Sequence, residues 1–359
     1  MKVLYLPRYG RLGASSRVRG YQYLPGLRAA GLDISVAPLL PDTYLAALYA
    51  QQRPSKAEIL VAYARRLAAL MQSKRFDVLW LEYEAFPWLP GCLDEWALGR
   101  RIPYVLDFDD AIFHRYDQHR SAWVRRWLGG KIDALMRRAA LVTCGNEYLA
   151  QRARQAGAQR VQILPTAIDL ERYPATPIAR RPGAQHSPVI GWIGSPATAH
   201  YLEQVRQPLA RVCQNGRARV CLIGARQPNW ADLPLQLVPW SEATEVEQIA
   251  ALDVGIMPLP DTPWERGKCG YKLIQYMGCS LPVVASPVGV NREIVEHGRN
   301  GFLADTPAAW EQALGALVDD AALRERLGAA GRAKVVRAFS VQANAPLLLD
   351  ALRTAAQVL

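Results

Sequence analysis

DVGIMPLPDTPWERGKCGYKLIQYMGCSLPVVASPVG, residues 253–289, alternates apolar runs with a basic, glycine-containing segment. It opens on an apolar run, 254–259, bounded by prolines, which reads as a buried strand. A polar loop with Glu265, Arg266, Gly267, Lys268 and Gly270 follows, then a helical segment at 271–277 and a second apolar strand at 282–286. Strand, basic glycine-containing loop, helix and strand is the order of a βαβ crossover. The start of such a helix offers unpaired N–H groups and a partial positive charge, which suit an anion such as a diphosphate. Gly267 and Gly270 let the backbone approach a ligand, and Lys268 and Lys272 add charge. An ordinary crossover with a solvated basic loop has the same pattern.

The same alternation runs outward in both directions. Towards the start, apolar runs at 2–6, 33–39, 76–82, 103–108, 141–144 and 161–165 read as strands. Helical periodicity lies between them at 16–30, 56–72, 122–139 and 147–156. Strands apolar on both faces imply a parallel sheet covered by helices on each side. A proline-rich stretch without apolar periodicity, YPATPIARRPGAQHSP at 173–188, marks a linker. A second series follows, with strands at 189–193, 219–223, 235–238, 254–259, 283–286 and 302–304, and long helices at 306–318 and 321–338. The expected organisation is an α/β chain of two doubly wound domains, 1–172 and 189–340, with a ligand cleft between them. Residues 341–359 form a last apolar helix that must pack on something.

Composition agrees with this class. At 359 residues the chain exceeds the size of about 250–300 residues at which single cores stop growing. Half of it is hydrophobic and 21% charged, as in globular proteins. No signal-peptide core follows the first residues, and no apolar run reaches the roughly 18 residues of a membrane span. The six cysteines show no CxxC spacing, which favours reduced thiols over a disulfide or zinc framework and a cytoplasmic setting. The net charge of +11 is uneven: 25 Lys and Arg face 16 Asp and Glu within 1–175, against 18 and 16 in the remainder. A basic first half points to an anionic partner or to a solvated basic surface.

Several loops after strands carry more than turn chemistry. LGASSRVR at 12–19 places Gly13, Ala14 and Ser15 before a helix that begins with Arg17 and Arg19, a loose likeness to a phosphate loop or a tight turn with a serine cap. Asp107, Asp109 and Asp110 put three carboxylates within four residues, which is costly unless they are solvated, paired or in use. They read as acceptor-binding or charge-stabilising groups, or as loop acids. Gly194 and Ser195 follow the first strand of the second series, and Gly289, Val290 and Asn291 follow its fifth; their N–H groups suit a phosphate. In 121–139, SAWVRRWLGGKIDALMRRA, Trp123, Trp127, Leu128, Ile132, Leu135 and Met136 share a helical face, and Arg125, Arg126, Lys131, Arg137 and Arg138 fill the rest. That is the pattern of a helix packed on its own sheet, the reading favoured here; the alternative is a helix lying on an anionic membrane surface.

Taken together the motifs resemble the retaining, GT-B-fold glycosyltransferases of family 4 over nearly the whole chain, most strongly from 189 to 337. DVGIMPL at 253–259 is similar to the strand before that family's donor motif. Cys269-Gly270 through YMGCSLPVVAS at 276–286 looks like the end of the motif and the strand after it, and EIVEHGRNGFL at 293–303 looks like the segment that follows. The family's motif has two glutamates, for the donor sugar and the ribose; in this register Gly267 and Gln275 stand in their places. Gln275 retains the capacity to hydrogen-bond ribose hydroxyls without charge assistance. Glu265 is a substitute carboxylate. The family's Arg and Lys diphosphate pair is replaced by Ser195-Pro196-Ala197-Thr198, which leaves Lys268, Lys272 and Arg266 to neutralise the diphosphate. Asp109 occupies the place of a histidine that the family often carries.

The resemblance implies transfer of a sugar from a UDP- or GDP-linked donor, with retention, to a glycan or lipid-linked acceptor such as a cell-surface polysaccharide precursor. It implies a terminal helix crossing back to the first domain, and neither a metal nor a cofactor; Asp109, Asp110 and Glu265 are the candidate catalytic groups. Peripheral contact with the inner membrane face fits the basic first half, and no nucleic-acid-binding module is present. Two competing readings use the same fold: a sugar-nucleotide epimerase, and a binding subunit whose donor site has decayed.

Overall fold

The computed structural model describes residues 1–50, 52, 54–99, 102–173, 187–226, 230 and 233–358. Of the linker expected at 173–188, residues 174–186 lie outside these. The described residues form two compact units. The first holds Met1–Thr166, Gly267–Cys269 and Val341–Leu359, and the second Ala167–Arg266 and Gly270–Ser340. These bounds differ from the sequence expectation at two places, each with a local cause. Ile168 donates its backbone N–H to Phe339 O at 3.0 Å, which draws 167–172 into the second unit. Residues 267–269 are held in the first unit by Asn146.

The sheet of the first unit consists of β1 (Lys2–Leu6), β2 (Asp33–Val36), β3 (Val78–Glu82), β4 (Tyr104–Phe108), β5 (Leu141–Cys144) and β6 (Val161–Ile163). Their spatial order is β2-β1-β3-β4-β5-β6, and every pair is parallel. The central strands are buried on both faces, so β3 reads as an apolar run up to Glu82 and β4 as one interrupted only by Asp107. Tyr5 stacks on Trp80 with ring centroids 4.1 Å apart. The Val341–Ala356 helix buries Leu348, Ala351, Leu352 and Ala355 and packs against β3, β4 and β5.

The second unit repeats the plan with β7 (Val189–Ile193), β8 (Arg219–Ile223), β9 (Leu235–Val238), β10 (Val254–Met257), β11 (Val283–Ala285) and β12 (Gly301–Leu303). The order is β12-β11-β10-β7-β8-β9, again all parallel. In each sheet the chain runs to one side of its first strand and then crosses to the other. The reversal falls between β1 and β3 in the first unit and between β7 and β10 in the second. Ligands of such sheets bind beyond the strand carboxyl ends at that reversal.

Two helical expectations change. The segment 16–30 is broken into the helices Ala14–Arg19 and Leu24–Ala29 with a 3₁₀ turn between them. The segment 122–139 is two helices, Ala122–Leu128 and Lys131–Arg138, separated at Gly129-Gly130. The single apolar face read across them is divided accordingly: Ile132, Leu135 and Met136 are buried, whereas Trp123 and Trp127 are exposed. Lys131, read as a surface base, is buried and lies 2.9 Å from Glu84 and 3.0 Å from Asp94. The described cysteines are free thiols, and only Cys92 among them is exposed.

Candidate functional site

In the second unit the loop after β7 begins at Gly194, whose N–H donates to Ile223 O at 3.0 Å. A Cβ at Gly194 would lie 2.4 Å from the Trp192 ring and 3.0 Å from Lys272 Cε, so this backbone must remain bare. Ser195 is exposed and precedes the 3₁₀ helix Pro196–Val205. Lys272 stands in the first turn of the Tyr271–Gly278 helix, with Nζ 5.3 Å from the centroid of the Trp192 ring. That helix begins after Gly270, whose φ of 66° lies in the left-handed region that glycine adopts without strain. The bare backbone after β7, the indole of Trp192 and the ammonium of Lys272 thus converge at the carboxyl end of the sheet, beside the reversal between β7 and β10.

The loops after β10 and β11 are fastened to each other. Leu259 N donates to Ser286 Oγ at 3.0 Å, and Ser286 N donates to Met257 O at 3.1 Å. Asn291 is buried and donates its amide to Ser286 O at 3.0 Å, while Val290 is buried before the short Asn291–Ile294 helix. Gly289 has φ 52°, and a Cβ there would lie 2.6 Å from Arg266 O. Glu265 is buried and accepts hydrogen bonds from the hydroxyls of Tyr201 and Thr262. Arg266 is exposed and paired with Asp261, Nε to Oδ1 at 2.6 Å. Gln275 is buried, and its amide donates to the Tyr173 phenol at 3.2 Å. Lys272 and Gly194 therefore come together, whereas Gln275 and Arg266 are engaged with partners of their own.

In the first unit the loops after β1, β3 and β4 meet around a row of acids. Asp107 is fully engaged inside: Arg19 grips it through Nε at 2.9 Å and Nη2 at 2.6 Å, and Thr143 donates to it at 2.6 Å. Arg19, read as a phosphate-loop base, is therefore a buried structural partner. Asp109 accepts from the Tyr83 hydroxyl, and burial together with Asp110 pushes its carboxyl up to about 6. Glu82 is buried with Ser16 Oγ at 2.6 Å and Arg8 N at 3.0 Å, and burial raises it to about 7. Gly13 precedes the Ala14–Arg19 helix, and a Cβ there would lie 2.4 Å from Tyr9 Cβ.

Tyr83 holds φ 62°, a conformation that costs about 1–3 kcal/mol for such a residue. The loop that carries it is fixed by Lys131, which donates to Phe86 O at 2.5 Å and Leu89 O at 3.0 Å while neutralising Glu84 and Asp94.

Asn146 was not singled out in the sequence. Its Oδ1 caps the Glu147–Gln155 helix through Leu149 N at 3.0 Å, and its amide donates to Gly267 O at 2.9 Å and Lys268 O at 3.0 Å. An Asn just before a helical pattern is a cap signal; its second task had no signal. Cys269 Sγ lies 3.1 Å from Asp109 O, and Lys268 Nζ is 3.7 Å from Asp110.

Gly267 explains one departure of the motif. A Cβ there would lie 2.4 Å from Ala111 Cβ and 2.8 Å from Ala111 N, so no side chain fits while this backbone stands. Gly267→Ala is expected to lower stability by about 1–3 kcal/mol through overpacking, and Gly267→Glu to lose at least as much. Thermal melts of both variants check this; unchanged melting would show that the loop relaxes at no cost.

Among the described residues no group of three or more His, Cys, Asp or Glu is arranged to hold a metal ion, and no helix is long and apolar enough to cross a membrane.

Comparison with known proteins adds to this geometry. Residues 5–167 match a family model described as glycosyl transferase 4-like domain, and residues 187–320 one described as glycosyl transferases group 1. D-inositol 3-phosphate glycosyltransferase of Nocardioides sp. is 43% identical over 76 residues, 21% of this chain and 16% of that protein. Its namesake from Xylanimonas cellulosilytica is 38% identical over 90 residues, 24% and 21% of the two. The matches thus span about a fifth of these relatives' length.

Among solved structures, Anabaena HepE in complex with UDP superposes with a TM-score of 0.71 at 18% identity, over 99% of this chain and 100% of that one. Sucrose-phosphate synthase from Thermosynechococcus elongatus gives 0.73 at 15% identity over 98% of each. These likenesses are of fold.

Proposed function

We propose, for a chain that belongs to the group 1 glycosyltransferases, that it moves a sugar from a UDP- or GDP-linked donor to an acceptor with retention of anomeric configuration. The observation that carries this reading is the convergence of bare backbone at Gly194 with Trp192 and Lys272 beyond β7. Bare backbone and an ammonium side by side suit a diphosphate, whose charge rises as the sugar–oxygen bond breaks. Lys272 and the first-turn N–H groups of its helix would hold that charge, so no metal or cofactor is part of the proposal. HepE has been solved with UDP and with UDP-glucose, which favours UDP over GDP.

Catalysis in this reading rests on positioning more than on a protein nucleophile. The first unit takes the acceptor at the loops carrying Asp109, Asp110 and Lys268. Asp109, raised to about 6 by burial and by Asp110, is suited to accept a proton from an acceptor hydroxyl near neutral pH. The acceptor is a lipid-linked or cell-surface polysaccharide precursor, and the protein works in the cytoplasm at the inner membrane face; the excess of Lys and Arg in residues 1–175 supports an anionic setting.

Thermal melting with UDP, GDP and their sugars tests the donor half. UDP at about 100-fold excess over its Kd is expected to stabilise the protein by about 2.7 kcal/mol. If no nucleotide shifts the melt, the transferase reading fails and a binding subunit with a decayed donor site takes its place.

A further inference from the structure

The Ala122–Leu128 helix leaves its largest side chains in solvent. Trp123 is 72% exposed and Trp127 65%, and as an i, i+4 pair they stand on one side of the helix. Leu128 is buried and anchors the end of the helix. The break at Gly129-Gly130 lets the next helix bury its own apolar face without turning the tryptophans inward. Trp96 on the Gly91–Leu98 helix is 63% exposed, and Trp88 is 47% exposed with its ring edge-on to Tyr116 at 5.2 Å.

The Gly91–Leu98 helix packs on the Lys131–Arg138 helix, which directly follows the one that carries Trp123 and Trp127. Lys131 Cα lies 3.5 Å from where a Cβ on Gly91 would sit, and Arg138 pairs with Glu95. Among the described residues, ten of the fourteen exposed large hydrophobic side chains fall within residues 48–127, so this exposure is concentrated in the first unit.

Charge decides what such a surface meets. Residues 115–138 hold seven basic and two acidic side chains, and Arg120, Arg125, Arg126, Arg137 and Arg138 are exposed. Arg125 is anchored to His119 O at 2.6 Å and Arg120 O at 3.1 Å, which keeps its charge beside the tryptophans. Indoles combine a large apolar body with one N–H donor and settle at the boundary between headgroups and acyl chains. Guanidinium groups beside them suit lipid phosphates. A protein partner would more often meet depleted charge at the centre of its patch.

We propose that Trp96, Trp123 and Trp127, with Arg120, Arg125 and Arg126, form a surface that docks the first unit on an anionic lipid bilayer. The tryptophans enter the headgroup layer and the arginines bind the phosphates. No spanning helix is needed, and the surface works independently of the donor site.

The test is co-sedimentation of the full chain with vesicles of phosphatidylcholine containing phosphatidylglycerol, and with vesicles of phosphatidylcholine alone. Binding to the anionic vesicles, weakened by salt, is expected. Trp123→Ser with Trp127→Ser should lower the partition coefficient about tenfold, and Arg120→Glu with Arg126→Glu should remove the preference for anionic lipid. Both variants should retain the melting shift with UDP seen in the parent chain, which separates loss of docking from misfolding and from failure of the donor reading. Equal vesicle binding by parent and variants would overturn the proposal. So would a concentration-dependent dimer, or an RNA complex, that the tryptophan substitutions abolish while vesicles fail to bind.

Discussion

Asp107→Ala is expected to lower the unfolding free energy by about 3–5 kcal/mol, the cost of leaving one buried charge without its partner. Both members of the Arg19–Asp107 pair are about 1% exposed, and the pair is joined by two hydrogen bonds of 2.9 and 2.6 Å. The remaining guanidinium nitrogen donates to Leu164 O at 2.6 Å, and Thr143 completes the carboxylate. Removing Asp107 therefore strands a cation that water cannot reach. The double replacement Arg19→Met with Asp107→Leu removes both charges and should recover most of the loss. Urea unfolding of parent, single and double variants checks this. A single variant costing under about 1 kcal/mol would mean that water reaches Arg19.

Lys272→Ala is expected to reduce kcat/KM for the donor about 100-fold, in line with removing one preorganised donor from a developing anion. Lys272 is held over the Trp192 ring, with its stem against the backbone of Gly194. The ammonium therefore stands beside Gly194 with little freedom left to lose, and its charge adds to the N–H groups of the first helical turn. Lys272→Arg should keep part of the activity, because the charge survives while the ammonium shape does not. Trp192→Leu should weaken the donor less than Lys272→Ala, since it loosens the ammonium without deleting it. Steady-state kinetics with nucleotide sugar and calorimetric titration with UDP measure these effects. Unchanged constants for Lys272→Ala would remove this lysine from the site.

The twelve strands are legible in the sequence as short apolar runs, nearly continuous in the buried centre of each sheet and alternating with polar residues at the edge strands β2, β6 and β9. Their ends were drawn a residue or more too long where the run continues into buried loop, as at Leu259 and Ser286. The helices Asp42–Tyr49 and Gly91–Leu98 passed unread, since each is only eight residues long and shows little periodicity. Charge was the harder text. Arg19 and Lys131 were read as bases facing anions outside, yet both neutralise acids inside. Nothing in a single sequence says which carboxylate 88 or 47 positions away a cation will meet. Gly267 was legible as a departure from the family's motif, whereas its cause, the backbone of Ala111, lies far off in the chain. The helical periodicity of 121–139 puts Trp123 and Trp127 on one apolar face with Ile132 and Leu135, but the break at Gly129-Gly130 splits that face.

The helix Val341–Ala356 sets a clock on synthesis. It covers β3, β4 and β5, which are all made before Thr166. Roughly 175 residues separate Thr166 from Val341, and at about 5–20 residues per second the ribosome needs roughly 10–35 s to cross that interval. Throughout it, the sheet face that will receive Leu348 and Leu352 stands open. The segment emerging meanwhile, from Ala167 to Ser340, holds all six strands of its own sheet and meets no such wait. The nascent first unit thus exposes an apolar sheet face for longer than the second, which is the interval in which it is open to aggregation.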